Sequence, residues 1–167
     1  AELAREDVGQ VDLVNLIDDT VSSYETALAD GPAVVFETTL DTGPVEGRPA
    51  PLGQVIRNLI DNALTFSPED SRVTIRLSLE PGNELAITVD DDGPGIPPES
   101  LETIFRRFYT ERPQGTEFGS HSGLGLAIAR QIVRVHGGDI RAENRTDAEG
   151  GISGARFVVT FPRAAQT

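Results

Sequence analysis

Apolar residues recur at helical spacing from Asp12 to Ala29, where Leu13, Leu16, Ile17, Thr20, Tyr24 and Leu28 fall close to one face. Gly31-Pro32 stops that helix. Ala33 to Leu40, with Val34, Val35 and Phe36, reads as a strand. Thr42 to Pro51 carries two glycines and three prolines and reads as loop, with room for a short strand at Val45-Glu46. Leu52 to Phe66 is a second helix, ended by Ser67-Pro68. Val73, Ile75, Leu77 and Leu79 alternate, as do Leu85, Ile87 and Val89, and Pro81-Gly82-Asn83 joins them as a hairpin. Pro97-Pro98 precedes a short helix through Leu101, Ile104, Phe105 and Phe108. Tyr109 to Ser122 is polar and aperiodic. Gly123 to Val135 is a third helix, ended by Gly137-Gly138. Two strands follow, near Asp139 to Asn144 and Ala155 to Phe161. Helices interspersed with antiparallel hairpins predict an α+β fold. The expected architecture is a two-layer α/β sandwich, with a mixed, mostly antiparallel sheet and helices on one face.

A chain of 167 residues suits one domain. Residues 1–10 read as a linker from an upstream region, 11–163 as the domain and 164–167 as a tail. No apolar run approaches the roughly 18 to 20 residues a membrane helix requires. With no cysteine, neither a disulfide nor a thiolate metal site is available. The net charge of −13, from 14 basic and 27 acidic residues, argues against nucleic acid. It also means that any bound polyanion must be attracted locally, by a metal ion, a helix N-terminus or a few placed arginines.

Three stretches carry candidate chemistry. On the second helix Asn58 and Asn62 sit one turn apart on the flank of the apolar stripe, with Thr65 alongside. Two carboxamides there suit a Mg²⁺ or phosphate cleft, and equally suit ordinary boundary positions. Asp91 to Gly95, inside the run Asp90-Asp91-Asp92-Gly93-Pro94-Gly95-Ile96, follows a strand directly. A carboxylate emerging from a sheet edge can accept a hydrogen bond from an exocyclic amine, while glycines permit close approach. The other readings are an acidic turn or a calcium loop, and the closing bidentate Glu of an EF-hand is missing. Ser122-Gly123-Leu124-Gly125-Leu126 opens a helix, where phosphate can meet free N–H groups. It is neither a P-loop nor a Rossmann fingerprint, and on its own it is equally a glycine hinge.

Taken in order, these stretches resemble the GHKL ATPase superfamily and, within it, the catalytic domain of sensor histidine kinases, which has the Bergerat ATP-binding fold. Gln54 to Pro68 (QVIRNLIDNALTFSP) resembles the N box, Asp91 to Gly95 the G1 box, Phe105 to Tyr109 (FRRFY) the F box and Gly123 to Ile128 (GLGLAI) the G2 box. Gly154 to Pro162 (GARFVVTFP) resembles the closing strand. The likeness runs from about Val11 to Pro162.

The resemblance implies that ATP and Mg²⁺ are the cofactors. Asn62 would coordinate Mg²⁺ and Asn58 would support metal or phosphates. Phe66 would pack on adenine, Asp91 would take its amine, and Gly93 and Gly95 would admit the base. Arg107 would reach the phosphates, and Gly123, Leu124 and Gly125 would cap them through backbone N–H groups. Ile96, Tyr109, Ser122 and Leu126 complete the expected contacts, and Tyr109 to Ser122 would form the ATP lid. Three positions depart from the family pattern. Thr65 stands where Lys or Arg is common, Asp92 replaces a common Asn, and His121 replaces a glycine. Arg106 and Arg112 are candidates to restore the lost positive charge.

The chain has two histidines, His121 and His136, and neither lies in a phosphoacceptor His-Glu context. His136 reads as a helix-end residue. The implied function is therefore donation of the γ-phosphate to a histidine on a separate dimerisation/phosphoacceptor domain. A response regulator would follow as the next partner, at a cytoplasmic location, with membrane contact only through other parts of the parent protein. ATPases of the chaperone, gyrase or mismatch-repair kind carry a water-activating Glu where this chain has Asn58, which favours transfer over hydrolysis. The remaining alternatives are a nucleotide-binding module with weak or no kinase activity and an anti-sigma-like serine kinase.

Overall fold

The computed structural model describes residues 8–27, 31–107 and 124–165. The elements run β1 (Gly9–Asp12), α1 (Leu13–Ala27), β2 (Ala33–Thr38), β3 (Pro44–Gly47), α2 (Pro49–Phe66), β4 (Arg72–Glu80), β5 (Glu84–Asp90), α3 (Gly125–Val135), β6 (Asp139–Thr146) and β7 (Ile152–Pro162). The five-stranded sheet has the order β2-β4-β5-β7-β6. Only the β2–β4 pairing is parallel; β4–β5, β5–β7 and β6–β7 are antiparallel. The expected two-layer α+β architecture is what the chain adopts.

Alternation decides which face of the sheet meets the helices. Val73, Ile75 and Leu77 on β4, Leu85, Ile87 and Val89 on β5, and Phe157, Val159 and Phe161 on β7 are buried in one cluster. Leu13 and Ile17 of α1, Leu52, Ile56, Leu59 and Ile60 of α2, and Ala129 and Val133 of α3 close over that face. The other face carries a row of polar partners, in which Glu37 pairs with Arg76, and Asp90 and Glu143 both pair with Arg156.

Several boundaries differ from the sequence expectation, each for a local reason. The first helix begins at Leu13, because Gly9 to Asp12 pair antiparallel with Pro44 to Gly47 as a separate two-stranded ribbon. Asp12 ends that strand, and its Oδ1 accepts the N–H groups of Val14 (3.0 Å) and Gly43 (2.8 Å). The strand thus starts two residues before the expected domain boundary. At the other end the N–H of Ala164, a buried residue, donates to Pro44 O at 2.7 Å. The second helix starts at Pro49 rather than Leu52, because proline is accepted in a first helical turn whose N–H groups have no intrahelical partner. The expected short helix after Pro97-Pro98 is instead two 3₁₀ turns, Pro98–Ser100 and Thr103–Phe105. Strands β6 and β7 extend past their expected ends and meet around a turn at Asp147 to Gly151, closed by Gly151 N–H to Asp147 Oδ1 at 2.9 Å.

Candidate functional site

The cleft is built from α2, the loop after β5 and the start of α3. Helix α2 keeps Leu52, Val55, Ile56, Leu59, Ile60 and Ala63 in the core, which leaves Asn58 and Asn62 on its half-buried flank. Asn58 Oδ1 accepts from Gln54 Nε2 (2.6 Å), and its Nδ2 donates to the carbonyl of Gly125 (2.9 Å). The N box and the G2 segment are therefore stitched together by one carboxamide. Asn62, one turn further along, has no hydrogen bond among the described residues, so its oxygen is open to a ligand. Thr65 is bound back on its own helix, its hydroxyl donating to Asp61 O at 2.8 Å.

The loop after β5 is fixed against both layers. Asp91 is 2% exposed. Its Oδ1 accepts the N–H groups of Gly93 (2.8 Å) and Ala155 (3.2 Å), and its own N–H donates to Ala155 O (3.0 Å). Oδ2 has no partner among the described residues. Burial pushes the Asp91 carboxyl above the ordinary aspartate range; the two backbone N–H groups and the Arg145 charge oppose that, while Asp92 adds to it. The two glycines answer demands inside the protein. A Cβ on Gly93 would lie 2.6 Å from the carbonyl oxygen of Phe66, so the loop lies directly on the end of α2. Gly95 has φ +84°, and a Cβ there would meet Ile152 Cγ2 at 2.5 Å and Asn144 Oδ1 at 2.8 Å. Ile96 is clasped by Asn144, which accepts its N–H and donates to its C=O, each at 2.7 Å.

At the start of α3, Leu124 and Leu126 are half-buried and Gly125 is exposed beside Asn58. Helix geometry leaves the first-turn N–H groups without intrahelical partners, at the positive end of the helix dipole. Tyr109, Ser122 and Gly123, with His121, Arg112 and all of the expected lid, lie outside the described residues. Arg107 is exposed and makes no hydrogen bond or ion pair with Asp91 or Asn62. It lines a separate hollow of about 550 Å³ with Phe105, Arg106, Arg130, Gln131 and Arg134.

Arg106 shares that hollow, so it does not answer the extra charge of Asp92. The countercharge is Arg145 of β6, whose Nη1 donates to Asp92 Oδ1 at 2.9 Å. Asp90, 3% exposed, is gripped by Arg156 through Nε (2.7 Å) and Nη2 (2.8 Å) and by Arg76 Nη1 (3.1 Å). Its hydrogen bond holds the Arg156 guanidinium more firmly protonated. Asn144 and Arg145 lie in no sequence motif, Arg156 falls within the closing-strand segment without being singled out there, and all three meet the loop only through strand order. His136 is structural. Its Nε2 accepts the Arg48 N–H at 3.3 Å, Nδ1 donates to Ile132 O at 2.8 Å, and the ring packs edge-on to Phe161.

Among the described residues no three His, Cys, Asp or Glu side chains gather as a metal cage. Mg²⁺ fits the donor set in another way. This ion commonly takes one or two protein oxygens and completes its octahedron with phosphates and water, and the open carboxamide of Asn62 can supply one. A nucleotide base fits the free Oδ2 of Asp91. No helix among the described residues is long and apolar enough to cross a membrane.

Residues 47–165 match the family described as Histidine kinase-, DNA gyrase B-, and HSP90-like ATPase. The sensor protein ChvG of Rhizobium meliloti is 43% identical over 170 residues, covering 97% of this chain and 29% of that protein. The chain thus spans about three-tenths of the length of this relative. The mycobacterial sensor histidine kinase MprB superposes with a TM-score of 0.79 at 31% identity, covering 95% of this chain and 99% of the solved one. Histidine kinase ThkA, solved in complex with the response regulator protein TrrA, gives 0.73 at 26% identity, covering 98% of this chain and 45% of that one.

Proposed function

Since the chain belongs to the histidine kinase-, DNA gyrase B- and HSP90-like ATPase family, we propose that it binds Mg·ATP and presents the γ-phosphate to a histidine on the dimerisation/phosphoacceptor domain of a two-component sensor kinase. The observation that carries this reading is Asp91. Its buried carboxylate is pinned through Oδ1 by two backbone donors and keeps Oδ2 open, between the Phe66 end of α2 and β7. An acceptor held in that way selects a base with an exocyclic amine.

The other residues position and neutralise, which is most of what phosphoryl transfer asks of a protein. Phe66, whose carbonyl lies against Gly93, would supply an apolar surface for the base. Asn62 offers a neutral oxygen to a hard cation without adding negative charge to the phosphates. Asn58 holds the first turn of α3 against α2, so that its N–H groups face the phosphates. Mg·ATP, when bound, supplies the phosphoryl group and most of the positive charge that stabilises its transfer. Nucleophile and base come from the partner domain. By the same reading the domain works in the cytoplasm and its parent kinase passes phosphate to a response regulator, a kind of partner found with ThkA.

Titration calorimetry tests the reading. Mg·ATP should bind in preference to Mg·GTP, and a chelator should weaken binding. Asn62→Ala should abolish the metal dependence. ATP affinity indifferent to chelator removes Asn62 as the metal ligand, and equal affinity for GTP removes Asp91 as the base acceptor.

A further inference from the structure

Three acidic residues in a row, Asp90, Asp91 and Asp92, stand at the base of the cleft in a chain of net charge −13. Such a run repels itself and any phosphate nearby. Asp90 points to the open face of the sheet and is neutralised there by Arg156 and Arg76. Asp91 and Asp92 are served by a different residue. Arg145, at the irregular end of β6, donates through Nη1 to the backbone carbonyl of Asp91 at 2.7 Å and to Asp92 Oδ1 at 2.9 Å. Its Nε lies 3.8 Å from Asp90 Oδ2. A single guanidinium, about 30% exposed, therefore touches all three consecutive aspartates. The preceding residue, Asn144, clasps the backbone of Ile96 on the far side of Gly95.

We propose that Arg145 is a positioning residue of the nucleotide site: by bridging the Asp91 carbonyl and the Asp92 carboxylate it fixes the base-accepting carboxylate in place and offsets the charge of Asp92. This rests on the reading of Asp91 as the adenine acceptor. Without Arg145, burial and Asp92 both push the Asp91 carboxyl upward, against the Gly93 and Ala155 N–H groups alone. The carboxyl then takes up a proton at higher pH and ceases to be a pure acceptor. The charged groups around it are Asp90 at the end of β5, Asp92 in its own loop, Arg145 and Glu143 on β6, Arg156 on β7 and Arg76 on β4. Arg76 and Arg156 are engaged by Asp90, and Glu143 lies beside Arg156, so Arg145 is the cation that acts on Asp91 directly. The departure at Asp92 is met by an arginine 53 positions along the chain.

The test uses Arg145→Gln, which keeps a hydrogen-bond donor and loses the charge, and Arg145→Lys, which keeps the charge and loses the fork. The amide signals of Gly93 and Ala155 in the nucleotide-free chain report Asp91 ionisation, because both donate to its Oδ1. In Arg145→Gln both midpoints should move to higher pH. Mg·ATP binding should weaken about tenfold, with the deficit growing as pH falls; tenfold corresponds to about 1.4 kcal/mol. Arg145→Lys should lie between the two, and covers the case in which the glutamine variant does not fold. Adding Asp92→Asn to Arg145→Gln should bring the midpoints back toward wild type. Unchanged midpoints in a folded variant overturn the proposal and leave Arg145 as scaffold. Loss of ATP-over-GTP preference in the wild type itself instead sinks the reading of Asp91, while the amide midpoints still decide the role of Arg145.

Discussion

Asp91 is held at a cost. The folded state binds its proton more tightly than the unfolded chain does, so this carboxyl favours folding only when protonated. That contribution is full below the ordinary value of 3.8 and is lost as pH rises through the raised folded value. At neutral pH the ionised group therefore detracts from stability, and what it provides in return is an acceptor for a ligand. Asp91→Asn separates the two effects. An asparagine Oδ1 can still accept from Gly93 and Ala155, while its Nδ2 sets a donor where Oδ2 stood. The variant should melt at the same or a higher temperature at neutral pH and lose about 1 to 3 kcal/mol of ATP binding, the cost of a mispaired buried group. Thermal melts and calorimetry check both halves; undiminished ATP affinity refutes the role. Asp-x-Gly-x-Gly is a local pattern that singles out Asp91 in the sequence, but it reads Gly93 as room for a base, whereas in the fold Gly93 answers the carbonyl of Phe66. Arg145 and Asn144 are not legible in the sequence, since each meets the loop through β-strand neighbours about 50 residues away in the chain.

At the scale of elements, periodicity was read correctly wherever it was long. Helix α2 and the β4–β5 hairpin show full stripes of buried residues, and their positions in the sequence reading hold to within a few residues. Four-residue strands carry too few positions to establish a period, so the pattern assigns β1 to linker and helix and shows its partner β3 only as Val45-Glu46. The 3₁₀ turns were misread for a similar reason, since a few apolar residues after two prolines fit several geometries. What no pattern revealed is how α2 and α3 are joined. The Asn58 Nδ2 to Gly125 carbonyl bond sets the N-terminus of α3 beside the carboxamides of α2. Asn58→Ala removes this link, at about 1 kcal/mol for one hydrogen bond. Amide exchange at Leu126 to Ile128 should quicken, and Mg·ATP affinity should fall while the rest of the fold keeps its protection. Unaltered exchange at α3 would show that apolar packing alone, through Ala129 and Val133, sets the helix in place.

For the molecule as a whole, the question is what the chain can do alone. Its −13 charge opposes a polyanion overall, so on the proposed reading the first turn of α3 and a metal held by Asn62 would supply the local positive potential. Those features would hold a phosphate without activating a nucleophile. Of the two histidines, His136 has both ring nitrogens committed, to the Arg48 N–H and to Ile132 O, and packs edge-on to Phe161. His121 lies in the stretch expected to be the lid, outside any His-Glu context. By the sequence resemblance Asn58 stands where the hydrolytic branch would carry a glutamate, and a carboxamide does not take up a proton near neutral pH. The isolated chain should therefore bind Mg·ATP without labelling itself from radioactive γ-phosphate, and its turnover should stay well below one ATP per minute, on the order expected when water is positioned but not activated. Adding the histidine-bearing domain in trans should restore transfer, because it brings nucleophile and base together. Label on the chain alone would point to a self-contained kinase, and rapid turnover to the ATPase branch. Asn58→Glu sharpens the distinction. It introduces a carboxylate able to activate water and removes the Nδ2 donor to Gly125, so hydrolysis should rise even as nucleotide binding weakens. A variant that binds less and hydrolyses no faster would show that the missing glutamate is not what separates transfer from hydrolysis in this cleft.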